Sequence, residues 1–184
     1  MTAARFILVG GGVRSGKSAF ALARASRFGE KLAFVATAQA FDDEMRERIA
    51  AHQAERDARF TTFEAPYELA RAVASLRSFD AAVVDCLTLW LSNRLLADER
   101  PSAHDAAIEE LALALRGAPC PVIVVTNEVG MGIVPEHRLA RTFRDLAGRA
   151  HQRLAREADE LYAAMMGVVL RLRPAPVEIA VTGR

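Results

Sequence analysis

Apolar and polar positions along the chain follow two alternating patterns. Short apolar runs rich in Val, Ile, Leu and Phe are separated by longer stretches whose apolar positions recur with a helical period. The short runs predict strands at 6–10, 31–37, 81–85 and 121–126, an extended segment at 60–64, and one or two strands within 159–172 around a turn at Gly167. This alternation is typical of an α/β fold with a mostly parallel central sheet flanked by helices.

The longer stretches predict the helices that connect these strands. We expect helices at 17–28, 41–57, 67–76, 87–96, 104–116 and 136–157. In one of them, Ile108, Leu111 and Leu115 share a face. The sequence contains no repeat, low-complexity tract or internal linker, so we expect a single domain over residues 1–184. The tail at 174–184 carries no pattern that predicts an element.

Composition narrows the class of protein without identifying it. The chain has 184 residues, is 52% hydrophobic and carries a formal net charge of +1. This balance does not favour nucleic acid or an anionic membrane as a partner. No apolar run is long enough for a secretion signal or a membrane span, so we expect a cytoplasmic protein. Cys86 and Cys120 lack the spacing of a zinc site or a disulfide framework, and we expect both in the core.

The first predicted strand leads directly into a glycine-rich segment. Residues 11–18, GGVRSGKS, match the pattern G-x-x-x-x-G-K-S between a strand and a helix, which is the phosphate-binding loop. Free backbone N–H groups at the start of the helix favour an anion there. Lys17 would reach the β- and γ-phosphates, and the Ser18 hydroxyl would bind Mg²⁺. The segment therefore predicts a nucleoside triphosphate site rather than a turn without a ligand.

Asp85 ends a predicted buried strand, AAVVD. A carboxylate after such a strand is typical of the second nucleotide-binding motif, which binds Mg²⁺ directly or through water. The carboxyl ends of strands in an open α/β sheet form the ligand-binding edge. We therefore prefer a metal role for Asp85 over an ordinary polar strand end.

His52 lies among charged residues in the predicted helix 41–57. A histidine that titrates near neutral pH can act as base, acid or nucleophile, although a lone surface histidine is usually inert. The residue alone leaves its role open. We expect His104, His137 and His151 to be solvated. The charged run at 42–48 is either a solvated helix face or, because it follows the second strand near the nucleotide edge, part of the site.

Two later features also allow two interpretations. The segment 127–135, NEVGMGIVP, follows the carboxyl end of a strand and is either part of an active site or a plain connection. Arginines recur through the last predicted helix and could bind phosphate, but we favour a solvated face balanced by acids such as Asp145 and Glu157. These arginines are Arg138, Arg141, Arg144, Arg149, Arg153 and Arg156.

Four segments, taken together, resemble one enzyme family. They are GGVRSGKS at 11–18, VATAQAFDDEMRERIAAH at 35–52, VVDCLTLWLSN at 83–93 and TNEVGMGIVPEHRLARTFRDLAGRAHQRLA at 126–155. On these segments the chain resembles the bifunctional adenosylcobinamide kinase / adenosylcobinamide-phosphate guanylyltransferase family of cobalamin biosynthesis. The second and fourth segments are more specific than the phosphate loop. The resemblance implies a P-loop NTPase of RecA-like fold.

The resemblance also implies two reactions. ATP or GTP phosphorylates the aminopropanol hydroxyl of adenosylcobinamide, and GMP is then transferred from GTP to that phosphate through a GMP-histidine intermediate. His52 matches the family's nucleophile, and Lys17 is the second implied catalytic residue. A homo-oligomer, in particular a trimer, is also implied.

Residue by residue, the resemblance carries nucleotide binding onto the phosphate loop, the end of the second strand, the stretch after His52, and two acidic residues. The metal ligands among them are Ser18 and Asp85. The nucleotide-binding residues are Gly11, Gly12, Val13, Arg14, Ser15, Gly16, Lys17, Ser18, Ala36, Thr37, Ala38, Gln53, Ala54, Glu55, Arg56, Glu64 and Asp85. Some family members carry a second histidine where this chain has Ala51, which leaves His52 as the candidate in the segment.

Two alternative functions remain open on sequence grounds. One is a kinase of a small metabolite that transfers only the γ-phosphoryl group. The other is a non-catalytic nucleotide switch that acts through a partner, although no partner motif is present.

Overall fold

The computed structural model describes residues 5–40, 43, 47 and 57–180. The strands found there are β1 (Phe6–Gly11), β2 (Leu32–Ala36), β3 (Phe60–Glu64), β4 (Ala81–Asp85), β5 (Val122–Asn127), β6 (Glu160–Met165), β7 (Val168–Arg173) and β8 (Glu178–Ala180). The helices are α1 (Lys17–Ala25), α2 (Leu69–Ala74), α3 (Leu87–Ala97), α4 (Asp105–Arg116) and α5 (Arg138–Glu157), with a 3₁₀ turn at Pro101–Ala103.

The strands form one sheet in the order β3-β2-β4-β5-β1-β6-β7-β8. The first six strands in this order are parallel to one another. β7 pairs antiparallel with β6, and β8 pairs antiparallel with β7. β5 lies between β4 and β1, so the carboxyl ends of these three strands adjoin. In the register of β1 with β5, Phe6 faces Val122 and Gly11 faces Asn127. The sheet therefore places the phosphate loop after β1 next to the segment after β5.

Alternating residues of each central strand face opposite layers of helices. In β1, Phe6 and Leu8 belong to the core beneath the helices α2–α5, whereas Ile7 and Val9 pack on the side of α1. Residues of this kind stabilise the fold by roughly 1.5–3 kcal/mol each when fully buried. The continuous burial of β1 explains why it appears in the sequence as an unbroken apolar run, as expected for a strand covered on both faces.

Most of the predicted elements are confirmed, with ends displaced by a few residues. The extended segment at 60–64 is β3, and the segment 159–172 forms the β6–β7 hairpin, in which Gly167 adopts φ +79°. Helix α1 ends at Ala25 rather than at 28. The tail, which carried no predictive pattern, contributes β8 through pairing with β7. The predicted helix 41–57 lies largely outside the described residues.

The expectation that His104 is solvated is wrong. The side chain is 2% exposed, and its Nε2 lies 2.7 Å from the carbonyl oxygen of Asp98. Since a carbonyl can only accept, Nε2 donates this bond. The imidazole therefore fills the connection between α3 and α4 and fixes it by a backbone contact. His137 is exposed, as predicted. Cys86 and Cys120 are both buried with free thiols, which confirms their core placement.

Candidate active site

The phosphate loop joins β1 to α1 through backbone conformations that few residue types tolerate. Gly16, at the N-cap of α1, has φ +92°, and Arg14 within the loop has φ +53°. At Gly11 a Cβ would overlap the carbonyl oxygen of Ala164 in β6 and come within 2.7 Å of Ser15 Oγ. Gly16 is thus needed for its dihedral angle and Gly11 for the close approach of β6.

Lys17 folds back over this loop. Its Nζ donates to the carbonyl oxygen of Gly12 at 2.9 Å, and the residue is 7% exposed. Burial lowers the pKa of Lys17, an effect that the negative charge of the nearby Asp85 partly opposes. A cation that is partly desolvated in this way gains from an anion placed beside it. Ser15 Oγ is also buried, and it has no hydrogen-bond partner within the described part of the chain.

Asp85 ends β4, and the strand order β4-β5-β1 places it at the same end of the sheet as the loop. Ser18 lies in the first turn of α1. Among the residues that the structure describes, no three His, Cys, Asp or Glu side chains form a metal cluster. Mg²⁺ at a nucleotide characteristically takes one or two protein oxygens and completes its shell with phosphate and water. A serine hydroxyl and a carboxylate beside a phosphate loop fit that requirement.

The predicted nucleotide contacts at Ala36, Thr37 and Ala38 lie at and just after the end of β2, next to β4. Thr37 is fully buried. Its Oγ1 donates to the carbonyl of Cys86 and accepts from the Cys86 N–H, both at 2.8 Å. Asn93 Nδ2 donates to the Thr37 carbonyl at 2.8 Å. The side chain of Thr37 therefore holds β2 against the end of β4, and its direct contact with a nucleotide would require breaking these bonds.

Glu64 is brought to the same edge at the end of β3. The register of β2 and β3 pairs it with Ala36, and the N–H of Ala65 donates to the Ala36 carbonyl at 2.8 Å. The predicted residues in the described part of the chain therefore lie at or just after the carboxyl ends of the parallel strands, with β2, β4 and β5 between Glu64 and the phosphate loop. His52 and the predicted contacts Gln53, Ala54, Glu55 and Arg56 lie outside the described residues.

Asn127 opens the segment 127–135, whose role in an active site the sequence leaves open, and the strand order places it between Asp85 and the phosphate loop. It ends β5, pairs with Gly11 across the sheet, and donates through Nδ2 to Thr88 Oγ1 at 2.8 Å. Thr88 Oγ1 in turn lies 3.1 Å from Cys86 Sγ. In the sequence, the role of Asn127 could have been inferred from the change from an apolar run to the polar pair Thr126-Asn127 at the carboxyl end of a strand.

His151 was expected to be solvated, and the structure contradicts this. Its Nε2 lies 2.7 Å from Oγ1 of the buried Thr126, beneath the end of β5. Burial lowers the pKa of His151, and the nearby Glu128 partly opposes the effect. Helix α5 runs under the sheet edge here, so a residue on its inner side meets strand ends instead of water.

The arginines of α5 are not simply a solvated face. Arg144 donates to the carbonyl oxygens of Gly130 at 2.6 Å and Ile133 at 2.9 Å, and Arg141 donates to that of Pro135 at 3.0 Å. These two arginines hold the segment that follows β5. The expectation of balancing acids is confirmed at Arg153, which pairs with Glu157 and also with Glu109 of α4, while Arg149 pairs with Asp105.

Comparison with known proteins identifies the family. The model of the family described as "Cobinamide kinase / cobinamide phosphate guanyltransferase" matches residues 7–172. The chain belongs to this family.

Curated relatives match over nearly their whole length. The "Bifunctional adenosylcobalamin biosynthesis protein CobU" of Salmonella typhimurium is 42% identical over 180 residues, covering 91% of this chain and 99% of the relative. The "Bifunctional adenosylcobalamin biosynthesis protein CobP" of Pseudomonas aeruginosa is 42% identical over 174 residues, with 92% and 98% covered. The resemblance predicted from the four sequence segments is thereby confirmed.

A solved structure supports the fold alone. The RadB recombinase matches with a TM-score of 0.54 and 21% identity, covering 95% of this chain and 85% of the recombinase. Together with the sheet order, this confirms the predicted RecA-like P-loop architecture. In the described residues, no helix is both long and apolar enough to cross a membrane.

Proposed function

We propose that this protein phosphorylates adenosylcobinamide with ATP or GTP, and then transfers GMP from GTP to the product. The observation that carries the proposal is the meeting of the phosphate loop, Asp85 and the segment after β2 at one sheet edge, in a chain of this family. The same nucleotide site would serve both reactions because both need a bound triphosphate.

In the kinase step, the aminopropanol hydroxyl oxygen attacks the γ-phosphorus. The bond from the γ-phosphorus to the β,γ-bridging oxygen breaks, the nucleoside diphosphate leaves, and the hydroxyl proton passes to solvent or to a base. Lys17 would exchange its contact with the Gly12 carbonyl for phosphate oxygens, where its charge opposes the negative charge on the transferred group. Gly11–Gly16 would hold the phosphates through backbone N–H groups.

In the guanylyl step, a ring nitrogen of His52 attacks the α-phosphorus of GTP and pyrophosphate leaves. A phosphate oxygen of adenosylcobinamide phosphate then attacks the same phosphorus, and the bond to His52 breaks. This gives adenosylcobinamide-GDP and restores the histidine. Covalent catalysis of this kind divides one transfer into two displacements. Lys17 and the loop would hold the departing pyrophosphate.

When bound, Mg²⁺ would neutralise part of the negative charge on the phosphates. Ser18 and Asp85 are the residues proposed to hold it. Asp85 also remains available to Lys17, whose ammonium charge it stabilises. The homotrimer that the resemblance implies and the cytoplasmic location expected from the sequence are retained as part of the proposal.

Incubation of the purified protein with GTP labelled at the α-phosphorus tests the guanylyl step. We expect covalent label on the wild-type protein, release of that label by adenosylcobinamide phosphate, and no label on His52→Ala. His151→Ala serves as the matched histidine control and should still label. Label persisting on His52→Ala would refute the assignment of the nucleophile.

The same preparation separates the alternatives. A kinase without transferase activity would phosphorylate cobinamide yet acquire no α-label. A nucleotide switch would give no cobinamide-dependent turnover with either ATP or GTP. Retention of appreciable kinase activity in His52→Ala is expected, since the γ-phosphoryl transfer does not pass through the histidine.

A further inference from the structure

The edge that carries the phosphate loop also carries a set of exposed apolar side chains, here called the apolar rim. Met131, Ile133 and Val134 are 83%, 96% and 66% exposed in the loop after β5. Met166 is 89% exposed in the β6–β7 turn, and Val13 is 78% exposed in the phosphate loop itself. Exposed apolar side chains grouped in this way mark a binding surface more often than isolated ones do.

The rim segments in the loop after β5 and in the β6–β7 turn lie on either side of the phosphate loop. β5 and β6 are the two neighbours of β1 in the sheet. On the β5 side, the N–H of Glu128 donates to the Gly11 carbonyl at 2.9 Å. On the β6 side, a Cβ placed on Gly16 would lie 3.7 Å from Gly167 Cα. The two segments that carry the outer rim residues therefore start beside the loop that would hold the triphosphate.

The loop after β5 is held in a shape that leaves its apolar side chains in solvent. Arg144 bridges the carbonyls of Gly130 and Ile133, and the Glu128 carboxylate accepts from the Gly130 N–H. Arg141 fixes the end of the loop at Pro135. A loop held by its backbone loses little conformational entropy when its side chains bind a ligand.

We infer that the apolar rim receives the corrin macrocycle of the acceptor substrate. This inference rests on the proposed function and adds the position of the acceptor substrate on the protein. The reacting hydroxyl hangs from the macrocycle by a short amide-linked arm, so the macrocycle must lie beside the γ-phosphate when the hydroxyl attacks. Its periphery carries methyl groups and methylene chains, which apolar side chains bind by burial. Methionine side chains adapt their shape to such an irregular surface.

The variant Met131→Ser/Ile133→Ser in the full-length protein tests the inference. Kinase rates are measured with cobinamide varied at saturating GTP, and with GTP varied at saturating cobinamide. Equilibrium dialysis, read by the visible absorbance of the corrinoid, gives cobinamide affinity directly. We expect KM and Kd for cobinamide to rise about tenfold, since partial burial of two exposed side chains is lost. The KM for GTP and the kcat should stay at wild-type values.

Leu96→Ser/Leu113→Ser is the matched control. These leucines are 60% and 58% exposed, so they also lie mostly in solvent, but they belong to α3 and α4. The control should leave all constants unchanged. Light scattering of each variant gives its molecular mass.

Two results would overturn the inference. One is an unchanged cobinamide KM and Kd in the rim variant. The other is a fall in molecular mass that accompanies loss of activity, which would assign the rim to contacts between copies of the chain. A wild-type protein that fails to phosphorylate both cobinamide and adenosylcobinamide would refute the proposed function instead, so the two failures are distinguishable.

Discussion

The loops after β1 and β5 lie side by side, yet they are stabilised in different ways. The loop after β1 is held from within: glycine conformations shape it, and Lys17 closes it onto the Gly12 carbonyl. The loop after β5 is held from outside, by Arg141 and Arg144 of α5. The first can be recognised from a local motif, whereas the second depends on a helix that begins after the loop ends.

The two loops also differ in what they offer a ligand. The phosphate loop presents backbone N–H groups and one buried cation, which suit a polyphosphate. The loop after β5 presents Met131, Ile133 and Val134, which suit an apolar surface. A kinase that joins a nucleotide to a large partly apolar acceptor needs both kinds of surface at one edge.

Replacement of Lys17 should have the largest effect, because it removes the only side chain that closes the first loop in the described structure. We expect Lys17→Ala to lower kcat/KM of both reactions by about 10²–10³-fold, as removal of a donor to developing charge does. Cobinamide phosphorylation and α-label transfer measure the two reactions. Lys31→Ala, at the chain's other lysine, is the control, since Lys31 lies over the Phe79 ring. A wild-type kinase rate in Lys17→Ala would refute the role.

The difference between the loops explains what could be predicted from sequence. The strands were predictable because burial on both faces produces unbroken apolar runs, as in β4. The phosphate loop and Asp85 were predictable because their chemistry depends on residues at fixed local spacing. The roles of Arg144 and His151 were not, because each depends on a partner more than ten positions away that only the packing of α5 brings near.

Other features that were not predicted also depend on contacts between residues distant in sequence. β8 has no pattern of its own and forms by pairing with β7. His104 has an ordinary polar setting in sequence, and only the turn between α3 and α4 buries it. Asn127 gains its significance from the strand order, which places β5 between β4 and β1. Local patterns thus predict elements and motifs, while contacts distant in sequence decide which polar residues join them.

Arg144→Ala should have an intermediate effect, confined to the second loop. It removes two hydrogen bonds to backbone carbonyls, so we expect hydrogen exchange in residues 129–135 to accelerate roughly tenfold. Peptide-level exchange measured by mass spectrometry tests this, with the phosphate loop as internal reference. Arg149→Ala is the control, because Arg149 pairs with the Asp105 side chain at 3.5 Å and touches no loop carbonyl in the described contacts. Equal acceleration in both variants would mean that Arg144 does not brace the loop.

The smallest effect concerns pH and the base of the second loop, where His151 contacts Thr126. Burial lowers the pKa of His151 below its ordinary value of 6.5, with Glu128 opposing. Just below that ordinary pKa, His151 is protonated in the unfolded chain but not in the folded protein. Protonation therefore favours the unfolded chain, and the free energy of unfolding decreases as the pH falls. Urea unfolding from about pH 8 to about pH 5.5 should show a shallower decline for His151→Gln than for the wild type. His137→Gln, at an exposed position, should follow the wild-type slope.

An unchanged slope in His151→Gln would mean that the imidazole takes up its proton as readily in the folded protein as in the unfolded chain.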